Sequence, residues 1–226
     1  MNQNQFRGFS PEALQFLRDI KLHNSKTWYE EQKPNYRRLL LIPFQNLVSD
    51  LSGFMLNIDP YFITTPAVDK TISRIYRDTR FSKDKSLYRD SMWLTFKRAT
   101  TDWKEAPAYF FEITPQTYRY GMGFYNAPKT YMDKFRERIA ARPDEFLKVV
   151  SFLDTSKLIT LKGERYQKDR GGDQPEKVRD WFQYKSFYLT SEHMIDRVLF
   201  RGELVQELKT GFGAMTPLYK YLWELL

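Results

Sequence analysis

The sequence contains no cysteine among its 226 residues. This absence excludes structural disulfides, zinc–thiolate sites, iron–sulfur clusters and cysteine nucleophiles. Histidine is almost as scarce, since His23 and His193 are the only two and neither has a second ligand at metal-binding spacing. We therefore predict no bound metal and no cofactor, and we expect both histidines at the surface or at helix ends.

Motifs for covalent or nucleotide chemistry are absent as well. The sequence has no Gly-x-Ser-x-Gly elbow and no glycine-rich phosphate loop. Gly121 and Gly123 flank one methionine, but they lie in a strand pattern instead of a strand-to-helix turn. Their small size is more typical of close packing against the sheet. The sequence therefore names no reaction, and whether the protein is an enzyme stays open.

Long hydrophobic runs are also missing. The longest apolar run, "LLLIPF", is far shorter than the roughly 20 residues that span a bilayer. The first residues lack a basic start followed by an apolar stretch, which is the pattern of a secretory signal. These features predict a cytoplasmic protein without a membrane span. They do not specify an oligomeric state.

Positive charge, by contrast, is abundant and concentrated. The net charge is +8, and residues 70–104 hold ten basic and four acidic residues, which is most of that excess. A concentrated positive field favours anionic partners, although it does not distinguish a small molecule from a nucleic acid. An anionic small molecule is our leading prediction for the partner.

Apolar periodicity predicts an α+β fold with a central antiparallel sheet. Helical spacing dominates about 10–58 and about 128–226, whereas period-two alternation in about 70–126 predicts a meander. The segments "SMWLTFK", "PAYFFEIT" and "TYRYGMGFY" are its strands, and "KTISRIY" and "KSFYLT" are weaker strand candidates. We expect N-terminal and C-terminal helices to pack on this sheet, in a single domain spanning 1–226.

Turn and breaker residues predict where the N-terminal helices begin and end. Ser10 and Pro11 are typical of a helix start, and Asn24 is expected to cap a second helix. Pro34 suits the start of a third helix, which Pro43 should kink or break.

The C-terminal part carries breakers too. Gly211, Gly213 and Pro217 argue against one rigid terminal helix. The polar stretch 163–174 is interpreted as a mobile surface loop.

The stretch "RDTRFSKDKSLYR" at 77–89 is the best candidate for a site. Phosphate and carboxylate recognition uses arginine forks, lysine point charges and nearby hydroxyls. This stretch supplies all of them, in Arg77, Arg80, Ser82, Lys83, Lys85 and Arg89. Asp78 and Asp84 would hold the arginines in position.

Three residues of the predicted sheet would line the other side of this pocket. Glu112 lies among aromatic residues, and Tyr120 and Tyr125 follow in the next strand. A carboxylate in apolar surroundings needs a cation, so Glu112 is expected to pair with Arg119 or with the basic loop. A general acid or base is the alternative role for Glu112.

Two other interpretations of 77–89 stay open. Basic residues interleaved with aromatic ones are also typical of nucleic-acid-binding modules. Alternatively, the charges form a salt-bridged loop that braces the N-terminal helices against the sheet.

Four segments in order, "GFSPEALQFLRDIKLHNSKTWYEEQKPNY", "RIYRDTRFSKDKSLYR", "YGMGFYNAPKTYMDKFRERI" and "GERYQKDRGGDQPEKVRDWFQYKSFY", extend over nearly the whole chain. Together they resemble a conserved family catalogued as a domain of unknown function and found in bacteria and fungi. Its most specific piece is the Arg-Asp-x-Arg-Phe-Ser-Lys-Asp-Lys signature at 77–85, and Arg136 also matches. The resemblance implies a single soluble domain and brings no established activity. Asp169-Arg170-Gly171 departs from the family pattern, where a Pro-Lys-Gly-like turn is expected.

Overall fold

A computed structural model of the chain describes residues 5–80, 83–100, 102–156 and 158–226. It confirms the α+β class, with an antiparallel sheet and helices from both ends of the chain. The helices are α1 Pro11–His23, α2 Lys26–Tyr36, α3 Ile42–Ile58, α4 Lys129–Ala141, α5 Pro143–Val149, α6 Phe152–Thr155, α7 Glu176–Phe182 and α8 Glu203–Trp223. The strands are β1 Met92–Phe96, β2 Ala108–Ile113, β3 Thr117–Gly123, β4 Ile159–Arg165 and β5 Tyr184–Met194.

The five strands are ordered β1-β2-β3-β5-β4. The first three are neighbours in chain order, so the predicted meander is confirmed, and "KSFYLT" is confirmed as part of β5. Strand β4 was missed, because it pairs with β5 alone and most of its side chains are not buried. Such an edge strand lacks the alternation that marks a half-buried one. The loop predicted at 163–174 therefore begins after Arg165.

The segment "KTISRIY" is not one of the described strands. Its residues instead form isolated bridges, Ile72 with Leu94 and Tyr76 with Tyr88. Ile72 and Ile75 are buried in the same segment. The pattern therefore predicted burial correctly but not a continuous ladder.

Several helix boundaries differ from the prediction. The Ser25 hydroxyl, and not Asn24, caps α2 by accepting a hydrogen bond from the Trp28 N–H. Pro34 lies inside α2 instead of starting a helix. Between α2 and α3 the chain continues through a π-helical turn, Arg37–Leu41. Pro43 follows this turn, whose wider winding accommodates a residue that cannot donate a backbone hydrogen bond.

Helix α8 is continuous through Gly211, Gly213 and Pro217, so the prediction of an interrupted helix was wrong. Its apolar face explains the difference. Phe212, Met215, Leu218 and Leu222 are fully buried, and tertiary packing of such a face outweighs the low helix propensity of glycine and proline.

The fold divides into two compact units. Unit 1 comprises Met1–Phe96, Phe110–Tyr120 and Glu192–Thr210, and unit 2 comprises Lys97–Tyr109, Gly121–Ser191 and Gly211–Leu226. In unit 1, Phe9 contacts Phe44 and Phe111 at the centre of an aromatic core. In unit 2, Phe146 and Phe187 pack around Phe135 and Trp181. The single domain spanning 1–226 stays a prediction.

Among the described residues, one helical segment, Lys26–Ile58, is long and apolar enough to cross a membrane by length and composition. Core helices of soluble proteins meet the same criterion. The α3 part of this segment buries Phe44, Leu47 and Leu51 completely. Its polar side is also used within unit 1, because the Gln45 amide donates to the Pro66 carbonyl. We interpret the segment as a core helix, and the cytoplasmic location stays a prediction.

Candidate anion-binding loop

The stretch 77–89 in unit 1 is a loop closed by backbone pairing. Tyr76 bridges Tyr88, the Arg77 N–H donates to the Leu87 carbonyl at 2.8 Å, and the Arg89 N–H donates to the Ile75 carbonyl at 2.9 Å. We call this stretch the charged loop. Phe81 and Ser82 lie outside the described residues, and the role of the Ser82 hydroxyl stays a prediction.

Asn24 fastens the base of the charged loop to the end of α1. Its side-chain oxygen accepts from the Leu87 and Tyr88 N–H groups at 2.6 and 3.1 Å. Its side-chain NH₂ donates to the carbonyls of Ile20 and Tyr88 at 3.1 and 2.9 Å. One amide therefore satisfies four backbone groups, which explains why Asn24 is not available as a helix cap.

Three tyrosines pack beneath the charged loop. The Tyr29 ring lies 4.5 Å from that of Tyr88 and 5.2 Å from that of Tyr76. Burial raises the pKa of Tyr88 to about 12 and also raises the pKa of Tyr29, so both hydroxyls stay protonated at neutral pH. The base of the loop is thus a packed aromatic cluster with no tyrosinate chemistry.

Two arginines of the loop face its own carboxylates. Arg80 holds Asp78 with two N–H groups at 3.0 and 2.7 Å, and Arg77 holds Asp84 at 2.8 Å. The Arg80 guanidinium keeps the pKa of Asp78 well below its usual range. The Ser86 hydroxyl and N–H lower the pKa of Asp84, with Arg77 adding to them.

The remaining cations have other surroundings. Arg89 donates to the carbonyls of Arg74 and Tyr76, both at 2.9 Å, and lies over the Trp93 ring at 4.7 Å. Lys85 donates to the Thr79 carbonyl at 2.9 Å. Within the part of the chain that the structure describes, Lys83 and Lys85 make no ion pair with a carboxylate.

The predicted sheet-side residues lie in three different environments. Glu112 pairs with Arg119 at 2.6 Å, which confirms that a cation meets this half-buried carboxylate. The Tyr120 ring stacks on His193 at 5.6 Å. Tyr125 belongs to unit 2, is 75 % exposed, and has the Lys104 ammonium 5.5 Å from its ring. The hydrogen bonds and ion pairs described for the charged loop include none of these three residues.

A cluster around His193 in unit 1 was not anticipated. The His193 side chain is 15 % exposed, stacks on the Tyr118 ring at 4.8 Å, and lies 3.5 Å from a Glu207 oxygen. The buried Tyr118 hydroxyl lies 3.4 Å from both Asp196 and Glu207. The expectation of a surface or helix-end histidine was therefore wrong for His193. His193 lies one residue before the end of β5, outside the predicted strand "KSFYLT", so no sequence signal pointed to its burial.

Unit 1 also contains an open groove of about 420 Å³. None of the predicted site residues lines it; the lining residues are Gln5, Phe6, Asp50, Gly202, Val205, Gln206 and Lys209. The described residues contain no group of three or more metal-ligating side chains that could hold a metal ion. The charged loop thus remains the most strongly basic feature that the sequence singled out.

The fold and the loop define the class of protein: an α+β protein with an exposed, self-paired basic loop. A family model matches residues 12–221, and the chain belongs to that family, the conserved hypothetical proteins DUF2461. No curated protein matches the chain. Family membership brings no activity, so any function must be argued from the residues themselves.

Proposed function

We propose that the chain binds a phosphate- or carboxylate-bearing ligand on the charged loop, and that Lys83 and Lys85 make the first contacts. The supporting observation is that neither ammonium group has a carboxylate partner among the described residues. Five basic residues face two acidic ones within 77–89, so the loop retains a positive excess after its internal pairs form.

The arrangement of the loop divides its residues between two tasks. Asn24, Tyr88 and Arg89 fix the base by hydrogen bonds and packing. The tip carries Arg80, whose side chain is 77 % exposed, together with the exposed Lys83 and Lys85. An incoming anion competes with Asp78 for the Arg80 guanidinium, and phosphate matches that fork as well as a carboxylate does.

The test is a calorimetric titration of the whole chain with inorganic pyrophosphate and with citrate at low salt. We expect measurable binding that weakens about tenfold when Lys83→Ala and Lys85→Ala are combined, because charge-assisted hydrogen bonds are lost. Lys33→Ala is the matched control, since Lys33 is exposed in unit 1 and pairs with Glu30. Equal affinity of the double variant and the wild type, with both folded, would refute the proposal.

Nucleic acid is tested in the same experiment as an alternative anion. Binding to a single-stranded oligonucleotide should fall with salt by about 0.7 log units per log unit of salt for each phosphate contact. A steep salt slope that the double variant reduces would assign the loop to nucleic acid instead of a small molecule. If the chain does not bind the oligonucleotide at low salt, nucleic acid is excluded as the ligand.

A bracing role is the second candidate, because Asn24, at the end of α1, makes three hydrogen bonds to the loop and one to Ile20 of α1. If bracing is the whole role, the double lysine variant should leave both stability and ligand binding unchanged, whereas Asn24→Ala should lower stability. Thermal unfolding with and without pyrophosphate separates the two candidates, since a bound ligand raises the unfolding midpoint and a brace alone does not.

A further inference from the structure

The geometry points to a second, independent anion-binding site in unit 2, at the ring of Tyr166, for a ligand that carries a phosphate or carboxylate group. The observation is a convergence of positive charge on this ring. The guanidinium carbons of Arg170 and Arg136 lie 4.5 and 5.3 Å from the ring centre, and the Lys185 ammonium lies 5.7 Å from it. We call Tyr166 and these three cations the Tyr166 cluster.

Nearby carboxylates only partly balance these charges. Asp133 accepts from Lys129 at 2.8 Å and from Arg136 at 2.9 Å, and Glu164 pairs with Lys185. The Lys129 ammonium lowers the pKa of Asp133, and Arg136 and Arg170 lower it further. Lys129 and the three cations of the cluster thus surround Asp133 and Glu164, so four positive charges meet two negative ones and the group keeps a positive excess. The positive charges in excess of these carboxylates repel one another, and an anion bound beside them would relieve this repulsion.

Arg136 is the fixed member of the cluster. Its side chain is 12 % exposed, and it donates to the carbonyl oxygens of Phe182 at 3.2 Å and Tyr184 at 2.6 Å. These bonds hold the guanidinium at the start of β5 whether or not a ligand is bound. A preformed cation lowers the entropic cost of ligand binding.

The chain segment that carries Tyr166 and Arg170 is held in place as well. The Tyr166 N–H donates to the Gln183 carbonyl at 2.7 Å, and the Gln183 side chain donates to Asp169. Asp169 also accepts from the Gly171 N–H at 2.9 Å. A Cβ atom at Gly171 would lie 2.2 Å from Cγ of Arg179, so this close approach requires glycine. These contacts hold the segment at several points, and the mobility expected from its composition stays a prediction.

Arg170 is the member most available to a ligand. Its side chain is exposed, lies over the Tyr166 ring and, among the described residues, makes no hydrogen bond or ion pair, although its charge lowers the pKa of Asp133. The neighbouring cations are better matched, because Arg165 pairs with Asp180 at 2.6 Å. A phosphate placed beside the ring can accept from Arg170 and, in competition with Glu164, from Lys185, while Arg136 adds positive charge.

The test is a titration of the whole chain with inorganic phosphate, pyrophosphate and citrate, followed by the backbone amide NMR signals of residues 166–171. We expect saturable shifts in wild type and a loss of affinity of about tenfold in Arg170→Ala. Arg142→Ala is the matched control, since Arg142 is an exposed arginine of unit 2 that pairs with Glu145. Because the Arg170 side chain makes no described hydrogen bond, its removal should leave the fold intact.

The outcomes separate this site from the charged loop. Weaker binding in Arg170→Ala, with unchanged shifts at 166–171 in the double variant of Lys83 and Lys85, supports the Tyr166 site. Shifts at 166–171 that Arg170→Ala leaves unchanged, or no shifts at all in folded protein, overturn it. Preference for pyrophosphate over citrate identifies the ligand group as phosphate, and the reverse preference identifies it as carboxylate.

Discussion

The charged loop and the Tyr166 cluster are both basic, but they hold their charge in opposite ways. In the charged loop, Arg77 and Arg80 each contact a carboxylate of the same loop. In the Tyr166 cluster, three cations from three separate chain positions converge on one aromatic ring. The charges of the charged loop are close together in the sequence, whereas those of the Tyr166 cluster come together only after folding.

This difference shows why charge density along the chain is a weak guide to a binding site. Neighbouring acids and bases in one loop neutralise each other at little cost, because solvent screens exposed pairs. In the Tyr166 cluster, Arg136 pairs with Asp133 and Lys185 with Glu164, but Arg170 makes no described ion pair. Arg136 and Lys185 are 49 positions apart and yet face the same ring, so only the folded chain reveals their convergence.

The largest expected effect comes from Arg136→Ala. Arg136 donates to two backbone carbonyls and to Asp133 while its side chain is 12 % exposed. Removing it leaves those acceptors without their donor, and we expect the free energy of unfolding to fall by about 2–4 kcal/mol. Urea denaturation at pH 7 measures this loss.

Arg142→Ala is the control for Arg136→Ala, because Arg142 is 67 % exposed and contacts only the i+3 carboxylate of Glu145 among the described residues. Its loss should be below about 0.5 kcal/mol. Similar losses in the free energy of unfolding in the two variants would contradict the view that Arg136 is held in a fixed position in the Tyr166 cluster.

Asn24→Ala should have the next largest effect and concerns the base of the charged loop. The variant removes four hydrogen bonds to backbone groups of Ile20, Leu87 and Tyr88. We expect a loss of about 2 kcal/mol, which lowers the unfolding midpoint by about 4–8 °C. Differential scanning calorimetry provides the measurement, and Asn35→Ala, at a half-buried i,i+3 contact with Gln32, provides the control.

The general fold was predictable from local patterns. The meander followed from the alternation in β1, β2 and β3, and the start of α1 followed from Ser10 and Pro11. Helix α8 was misjudged because its stability comes from burial of Phe212 and Leu222, which outweighs the low helix propensity of glycine and proline. Strand β4 was missed because an edge strand pairs through its backbone and needs no apolar face.

The candidate sites were less predictable. The charged loop was singled out from composition, but the partners of Arg77 and Arg80 depend on loop geometry that a sequence does not specify. Arg136 was noted only through resemblance to a family. The contact of His193 with Tyr118 and Glu207 brings three distant positions together, and no local pattern encodes such a contact.

Glu207→Gln tests a paired charge that is more buried than those of the charged loop. Burial raises the pKa of Glu207, opposed by His193 and reinforced by Asp196, while the Tyr118 hydroxyl lowers it. A folded-state pKa above the ordinary 4.5 means that the protonated carboxyl contributes stability below that pH. This contribution is lost as the pH rises through the folded-state pKa.

We therefore expect wild type to lose stability relative to Glu207→Gln as the pH rises above about 4.5. Denaturation in urea at intervals from pH 4 to pH 8 gives the difference. Asp78 in the charged loop predicts the opposite sign, because its lowered pKa gives a contribution that is lost as the pH falls below the ordinary 3.8. A pH-independent difference would show that burial does not govern the ionisation of Glu207.

Arg80→Ala should have the smallest effect, and it tests the charged loop directly. The Arg80 and Asp78 side chains are 77 % and 55 % exposed, so water replaces most of what their two hydrogen bonds provide. We expect no measurable change in the unfolding midpoint, in contrast to Arg136→Ala. Under the proposed function, affinity for pyrophosphate should nevertheless fall. A large loss of stability in Arg80→Ala would instead show that the pair with Asp78 stabilises the fold, as the contacts of Asn24 at the base of the loop do.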